Sequence, residues 1–275
     1  MRDWYQTPAS NPGRSLAIVR LAAASILIVH PIHAFLHPAN IHGFANFLHA
    51  HGLPWSLPLA WAALLIQFVC SLALLARRYV VPACLGNIAV LAIGIPLVHF
   101  PRWRSVGLAP GEHRAGAEFS CLLIACLTGV LWAHRRTPFI DAGARQGLEI
   151  VRLAAALILV IHPVGGLRDP AALDDLGAYF SSIGFPFGVT LVWSAMFLQI
   201  ASSTAIAARR LIVPACFGHI LVLCTGIWLF HAPDWFVVGP VNVVGPSNEG
   251  MEYSILLLSC FISLLLAYWP SKRAS

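Results

Sequence analysis

Eight runs of about 20 apolar residues make up most of this chain, and they decide the solvent in which it can fold. An α-helix needs ~20 apolar residues to cross the hydrocarbon core of a bilayer. Of the 275 residues, 59% are hydrophobic and 10% are charged, whereas a soluble domain carries roughly 25% charged residues. The sequence therefore predicts an all-α integral membrane protein with eight transmembrane helices in a lipid bilayer. The runs lie at residues 16–36, 54–76, 80–99, 117–133, 148–167, 186–208, 212–231 and 251–269.

The last four runs repeat the first four. RLAAASILIVHP (20–31) recurs as RLAAALILVIHP (152–163), and ARRYVVPACLGNI (76–88) recurs as ARRLIVPACFGHI (208–220). The offset is 132 residues with no gap from Arg20 to Gly107, and about two positions in five are identical. Such self-similarity indicates a tandem duplication, here of a four-helix bundle. The predicted boundaries are a cytoplasmic tail at 1–15, a first bundle at 16–134, a cytoplasmic linker at 135–147, a second bundle at 148–270 and a tail at 271–275.

Arginine and lysine set the predicted orientation. Thirteen of the 17 lie at one side of the predicted helices, and only Arg102, Arg104, Arg114 and Arg168 lie at the other. Because basic residues stay on the cytoplasmic side, both termini are predicted to be cytoplasmic, and the two halves are predicted to be parallel repeats. We expect a multi-pass protein of the plasma (inner) membrane of a bacterium. The net charge of +6 follows from these anchors, so nucleic-acid binding, which needs a basic soluble face, is not predicted.

Four kinds of polar residue recur in both halves near the membrane. Ionisable groups at this depth are costly and mark functional candidates. Each half is predicted to present two imidazoles and a carboxylate at one level on the outer side, with an amide below. The histidines are His30 and His162 in the first helices and His99 and His231 at the ends of the third helices; the others are Glu118 and Glu252 at the starts of the fourth helices, and Gln67 and Gln199 within the second helices.

Structural roles are the alternative for each kind. A histidine before proline can bond a free carbonyl at a helix end, and a carboxylate in a first turn is favoured by the helix dipole. An intramembrane glutamine commonly forms interhelical hydrogen bonds. The stretch HPIHAFLHPANIH (30–42) also splits under the repeat, since its counterpart is HPVGGLRDPAALD (162–174). Its later histidines are therefore a surface feature, a partner contact or, least favoured, an outer metal contact.

The candidate residues support several chemistries. Imidazole and carboxylate together bind zinc, copper or iron, and which metal, if any, stays open. A histidine can also donate a hydrogen bond to a quinone carbonyl or relay its proton. Two histidines on different helices can ligate the iron of haem b. We assign proton exchange to the two glutamates, and cofactor binding to the histidines and glutamines.

Several short motifs occur in both halves. They are an arginine opening the first helix (Arg20, Arg152), GLP and GFP before the second helix (52–54, 184–186), the basic turns ARRYVVPA and ARRLIVPA, and Glu followed by an aromatic residue at the start of the fourth helix. With these motifs the chain resembles the DoxX family of four-helix membrane proteins. The chain departs from the family at Gln67 and Gln199, where members usually carry glutamate, and the Gly-Pro-Gly and Ser-Leu-Asp ending is missing.

The resemblance implies a quinone-linked role, because some members are similar to the membrane subunit of thiosulfate:quinone oxidoreductase. Our first hypothesis is a membrane subunit of a respiratory oxidoreductase that takes electrons from a redox partner subunit on the outer face and passes them to quinone. The chain has no nucleotide motif, so the partner must supply the first redox step. The alternatives are a carrier or permease for a small molecule or metal ion, and a haem b electron-transfer anchor held by two histidines.

Overall fold

The computed structural model describes residues 12–99, 117–135, 140–231 and 251–270, and every regular element in these ranges is helical. At a few positions, among them His99, His162 and His231, it describes only the backbone. The helices are α1 (Pro12–Leu36), α2 (Pro38–Ala50), α3 (Ser56–Leu75), α4 (Val80–Gly94), α5 (Glu118–His134), α6 (Ile140–Arg168), α7 (Pro170–Ser182), α8 (Gly188–Ala207), α9 (Ile212–Gly226) and α10 (Glu252–Tyr268). Each helix from α2 to α4 has a counterpart 132 residues further on with the same length.

Within the described ranges, six helices are long and apolar enough to cross a membrane, which makes the chain an α-helical membrane protein. They are α1, α3, α6 and α8, and α4 and α9 with the π-helical turns that extend them. The other two predicted spans, α5 and α10, have 17 residues each and are shorter than the spanning length. The connections between the first and second spans of each half form the short helices α2 and α7.

The start of α6 differs from the prediction. The helix begins at Ile140, inside the stretch 135–147 that was predicted as a linker. The segment is helical because its apolar face packs in the core: Ala144 and Leu148 are buried. Charged residues in the first turns of α6 lower the local hydropathy, which is why the apolar run begins later than the helix.

Helices α1, α5, α6 and α10 form the centre of the described structure. Within each half the four long helices pack in a closed order, α1–α3–α4–α5 and α6–α8–α9–α10. The halves meet where α5 packs on α6, α1 on α10 and α1 on α6. One continuous apolar core runs through both halves, while α2 packs on α3 and α7 packs on α8 at the periphery. Helices α3, α4, α8 and α9 carry large exposed apolar side chains on their outward faces.

Equivalent residues of the two halves touch each other between α5 and α10. The Sγ atoms of Cys126 and Cys260 are 3.5 Å apart, and the rings of Phe119 and Tyr253 meet edge to face with centroids 5.8 Å apart. Each contact joins residues 134 apart, and the ring pair lies seven residues before the cysteine pair on both helices. Helices α5 and α10 therefore run in the same direction where they meet.

The α5–α6 and α1–α10 crossings involve equivalent positions of the repeat, but different residues occupy those positions. At the first, Gly129 and Gly147 bring their backbones so close that a Cβ atom on either would clash with the carbonyl oxygen of the other. At the second, the corresponding positions are Ser263 and Ser15, and the Ser263 hydroxyl donates to the Ser15 carbonyl at 2.8 Å. Small residues at both crossings allow close helix packing in a membrane.

The two ends of the bundle carry different chemistry. We call the end where α3 and α8 finish the basic end, because Arg77, Arg78, Arg209 and Arg210 follow there. We call the opposite end, where α5 and α10 begin, the glutamate end. At the basic end Arg77 and Arg209 both adopt the left-handed backbone conformation, with φ of 54° and 56°. The two tight turns therefore have the same shape.

Candidate functional site

The two predicted glutamates open α5 and α10 at the glutamate end. Glu118 is the first residue of α5 and Glu252 is the first residue of α10, as the sequence predicted. The rings of Phe119 and Tyr253, one residue further along each helix, are in contact, so both helix starts face the junction of the two halves. Glu252 is 8% exposed, and Glu118 is half-buried. Two carboxylates thus share one level near the junction of the two halves.

The histidines predicted beside these glutamates are placed only in part. His30 lies in the last third of α1, a helix that packs on both α5 and α10, and its side chain is exposed. The side chains of His99, His162 and His231 lie outside the described residues. Their backbones are described: His162 lies in α6, and His99 and His231 each end a π-helical turn, Ile95–His99 and Ile227–His231. Such turns are frequent at functional sites.

No hydrogen bond or ion pair joins two of the predicted site residues among the side chains that the structure describes. Nor do those side chains include a group of three or more His, Cys, Asp or Glu residues arranged to hold a metal ion. His33 and His37, from the histidine-rich stretch, stack on each other with ring centroids 4.4 Å apart. In the described part of the chain they form a pair and not a three-ligand cluster.

The predicted glutamines lie deeper, and the structure distinguishes them. Gln199 is 6% exposed, and its Oε1 atom has no hydrogen-bond partner among the described residues. Gln67, its counterpart on α3, is half-buried. A buried amide oxygen without a donor costs about 1–3 kcal/mol. The second half therefore contains an unsatisfied acceptor at mid-depth.

A buried histidine that the sequence reasoning missed lies one helical turn further toward the basic end. His219 on α9 is fully buried, and its Nε2 atom lies 3.1 Å from the hydroxyl of Ser203 on α8. Its ring stacks on Phe261, with centroids 4.4 Å apart. Its Nδ1 atom has no partner within the described ranges. Sequence reasoning considered only polar residues that are identical in both halves. It therefore excluded His219, whose counterpart is Asn87.

The first half also buries a polar pair at these positions, with asparagine in place of histidine. Ser71 and Asn87 are both fully buried at the positions of Ser203 and His219. The Ser71 hydroxyl and both amide atoms of Asn87 lack partners among the residues that the structure describes. Each four-helix unit thus buries a polar pair between its second and third long helices. In the second half this pair continues the polar face that begins at Gln199.

Comparison with known proteins identifies the first of these units. The DoxX family model matches residues 15–100, which cover α1 to α4 and the first π-helical turn. Residues 15–100 are therefore similar to the DoxX family. The predicted resemblance is thereby confirmed over this range. Searches of the curated proteins and of the solved structures found no match.

A second polar cluster lies at the basic end, in the half that the DoxX match does not reach. The carboxylate of Glu149 on α6 accepts hydrogen bonds from the Nε of Arg152 at 2.8 Å and from the hydroxyl of Tyr268 at 2.8 Å. It also forms ion pairs with Arg152 at 2.7 Å and with Arg209 at 2.8 Å. The Nη1 group of Arg152 donates to the carbonyls of Ile206 and Ala207. This cluster fastens α6, α8 and α10 together.

The first half retains only the arginines of this cluster. Arg20 is 7% exposed, and its Nη1 group donates to the carbonyls of Leu74 and Leu75 at the end of α3. The counterparts of Glu149 and Tyr268 are Ala17 and His134. The sequence interpretation took the paired arginines after α3 and α8 as topology anchors and did not single out Glu149. The sequence signal that could have identified Glu149 is a difference between the repeats, because the corresponding residue of the first half is Ala17.

Proposed function

We propose that all eight long helices span the bilayer as two parallel-repeat four-helix bundles, with the basic end and both termini on the cytoplasmic side. The 17 residues of α5 and α10 rise about 26 Å, close to the ~30 Å of the hydrocarbon core. The Cys126–Cys260 and Phe119–Tyr253 contacts support the parallel arrangement. The concentration of arginines beside the ends of α3 and α8 supports the orientation. The glutamate end then faces outward.

We propose further that the protein is a membrane subunit of a respiratory oxidoreductase, passing electrons from a partner subunit on the outer face to quinone. The observation that carries this proposal is the placement of Glu118 and Glu252 at two helix starts whose next residues, Phe119 and Tyr253, are in ring contact. Both helices pack on α1, which carries the exposed His30. Reduction of a quinone to a quinol consumes two electrons and two protons. The partner supplies the electrons, and the two carboxyl groups are placed to supply the protons.

The chemistry of the surrounding residues suits such a substrate. An imidazole can donate a hydrogen bond to a quinone carbonyl and pass on its proton, which is the role we assign to His30, His99, His162 and His231. The amides of Gln67 and Gln199 lie deeper, and the unsatisfied Oε1 of Gln199 can accept a hydrogen bond from a quinol hydroxyl. The apolar faces of the outer helices lie open to lipid, in which a quinone is dissolved.

The experiment uses the complex of this chain with its donor subunit, isolated from membranes. Reduction of a short-chain quinone is followed by absorbance for the wild type and for Glu118→Gln combined with Glu252→Gln. Because positioned acids contribute about a hundredfold or more, we expect a loss of that order. Asp175→Asn, which changes an exposed carboxylate on α7, is the control and retains the wild-type rate.

The histidines are tested in the same assay. We expect His99→Ala combined with His231→Ala to raise the KM for quinone and lower the rate. Unchanged quinone reduction in both double variants would show that the glutamate end is not the quinone site. Unfolding temperatures measured in parallel separate lost activity from lost folding.

A second candidate function is a carrier for a small molecule or metal ion, and one observation favours it. A path through the protein needs polar groups toward the basic end as well. Gln199, Ser203 and His219 provide a buried polar row toward that end in the second half. In proteoliposomes loaded with a fluorescent metal indicator or a pH indicator, this candidate predicts uptake that His219→Asn abolishes. That substitution reproduces the residue found at the corresponding position of the first half.

A further inference from the structure

The two halves build the same guanidinium site at the basic end, but only one of them contains a carboxylate for it. In the second half, Arg152 and Arg209 both bind the carboxylate of Glu149. In the first half, Arg20 and Arg77 occupy the corresponding positions, and Ala17 stands where Glu149 would be. From this difference we propose that Arg20 and Arg77 form a binding site for a phosphate oxyanion from outside the chain.

The backbone around the two sites is the same. Arg77 and Arg209 share the left-handed conformation, and their amides donate to Leu74 and Ile206 carbonyls at the same distance, 3.1 Å. Arg20 reaches the carbonyls at the end of α3 through its Nη1 group, just as Arg152 reaches those at the end of α8. The duplicated framework therefore presents a guanidinium to the same place in each half.

The Nε and Nη2 groups of Arg20 indicate the class of ligand. In the second half, the Nε and Nη2 groups of Arg152 both engage one oxygen of Glu149, at 2.8 and 2.7 Å. In the first half, the hydrogen bonds of Arg20 to described residues come from its Nη1 group, and the side chain is 7% exposed. A buried guanidinium needs an anion or an acceptor to offset its desolvation. Its planar pair of donors matches two oxygens of a phosphate.

The charges around the first site also favour an anion. Arg78 follows Arg77 directly, and both are exposed. Within the described residues of the first half, the sole acidic side chain is Glu118, which lies at the opposite end of the bundle. In the second half, the hydroxyl of Tyr268 donates to Glu149. Its counterpart in the first half is His134, whose imidazole is exposed. The first site is thus a cluster of cationic side chains. We place it at the membrane surface, where anionic lipid headgroups are concentrated.

The ligand chemistry is a phosphate group, and two sources offer it: the headgroup of an anionic lipid and phosphate in solution. The proposal is independent of quinone reduction, because the site lies at the other end of the bundle. The full-length protein is titrated with phosphatidylglycerol in phosphatidylcholine micelles, or with inorganic phosphate at constant ionic strength. Unfolding temperature reports binding.

Three variants test the site. Ala17→Glu supplies the first half with the carboxylate of the second, and we expect it to abolish the response to the ligand. Arg77→Gln removes one guanidinium, and we expect about a tenfold weaker apparent affinity, since charge-assisted hydrogen bonds are the strong ones. Arg209→Gln is the matched control, and it leaves the apparent affinity unchanged.

A response to phosphatidylglycerol that Ala17→Glu removes establishes the site with lipid as its source. A response to inorganic phosphate in phosphatidylcholine alone, again removed by Ala17→Glu, establishes it with soluble phosphate. If Ala17→Glu does not fold, the comparison of Arg77→Gln with Arg209→Gln decides. The proposal is overturned if the wild type responds to neither probe, or if Ala17→Glu and Arg77→Gln respond as the wild type does.

Discussion

Cys126 and Cys260 are equivalent positions of the repeat, and their sulfur atoms lie 3.5 Å apart in the core of the protein. Equivalent residues of two halves meet only close to the local two-fold axis that relates those halves. Together with the contact of Phe119 and Tyr253, this pair aligns the two glutamate-bearing helices in parallel. The proposed parallel arrangement of the two halves, and the shared level of the two carboxylates, both depend on this alignment.

The first prediction concerns crosslinking of this cysteine pair. A protease site is inserted between Arg135 and Ile140, and an oxidant that forms disulfides is added to the membranes. We expect the two halves to remain joined after cleavage on a non-reducing gel and to separate when reduced. Cys126→Ser is the control and should abolish the link, whereas Cys84→Ser should not. Halves that separate without reductant would contradict the contact.

The second prediction concerns the glycine crossing of α5 and α6. A Cβ atom at Gly129 would lie 2.6 Å from the Gly147 carbonyl oxygen, so Gly129→Ala must push the helices apart. Overpacking of this kind costs about 1–3 kcal/mol of unfolding free energy. Gly43→Ala on α2 is the matched control, because its Cβ would meet no atom within 4 Å. Denaturant unfolding of the two variants in detergent should separate them clearly, and equal stabilities would refute the close crossing.

The third prediction ranks two substitutions in the Glu149 cluster, Glu149→Gln and Arg209→Gln. Arg152 is 3% exposed and Arg209 is 51% exposed. Because a buried charge that loses its partner is strongly destabilising whereas an exposed pair contributes little, we expect Glu149→Gln to destabilise by about 1–3 kcal/mol. We expect Arg209→Gln to cost less than about 1 kcal/mol. Unfolding temperatures at low and high salt measure both effects, and a larger loss for Arg209→Gln would reverse the ranking.

Sequence reasoning predicted the helices well, because in a bilayer the apolar length of a run determines the span. The starts of α5 and α10 at the two glutamates, and the π-helical ends at His99 and His231, fall where the repeat placed them. The start of α6 was missed because the packing of Ala144 overrides local hydropathy. Residue polarity identified Glu118 and Glu252, but the ring contact between the residues that follow them joins the two halves, and no single-helix pattern contains it.

The buried polar residues show what a repeat comparison can overlook. Requiring identity in both halves selected Gln199 and rejected His219, although both are buried in the second half. The same requirement hid Glu149, whose counterpart is Ala17. Differences between repeats were as informative as identities, since each half adapts the same framework to its own partners.

The fourth prediction separates quinone from haem b as the redox group. The quinone account predicts no Soret band and no α/β bands in the absorption spectrum of the purified protein, and quinone in its lipid extract. A Soret band lost in His99→Ala or His231→Ala would instead support the haem anchor. His42→Ala, on the peripheral helix α2, is the control for general effects of removing a histidine.

The most direct test of the central claim is photolabelling of the purified protein with an azidoquinone, followed by peptide mapping. The account predicts saturable label at the glutamate end, in peptides that contain His30, Glu118 or Glu252, and competition by unlabelled quinone. The Glu118→Gln and Glu252→Gln double variant should reduce that label, and Asp175→Asn should not. Label confined to the basic end, or label that unlabelled quinone does not displace, would contradict the account.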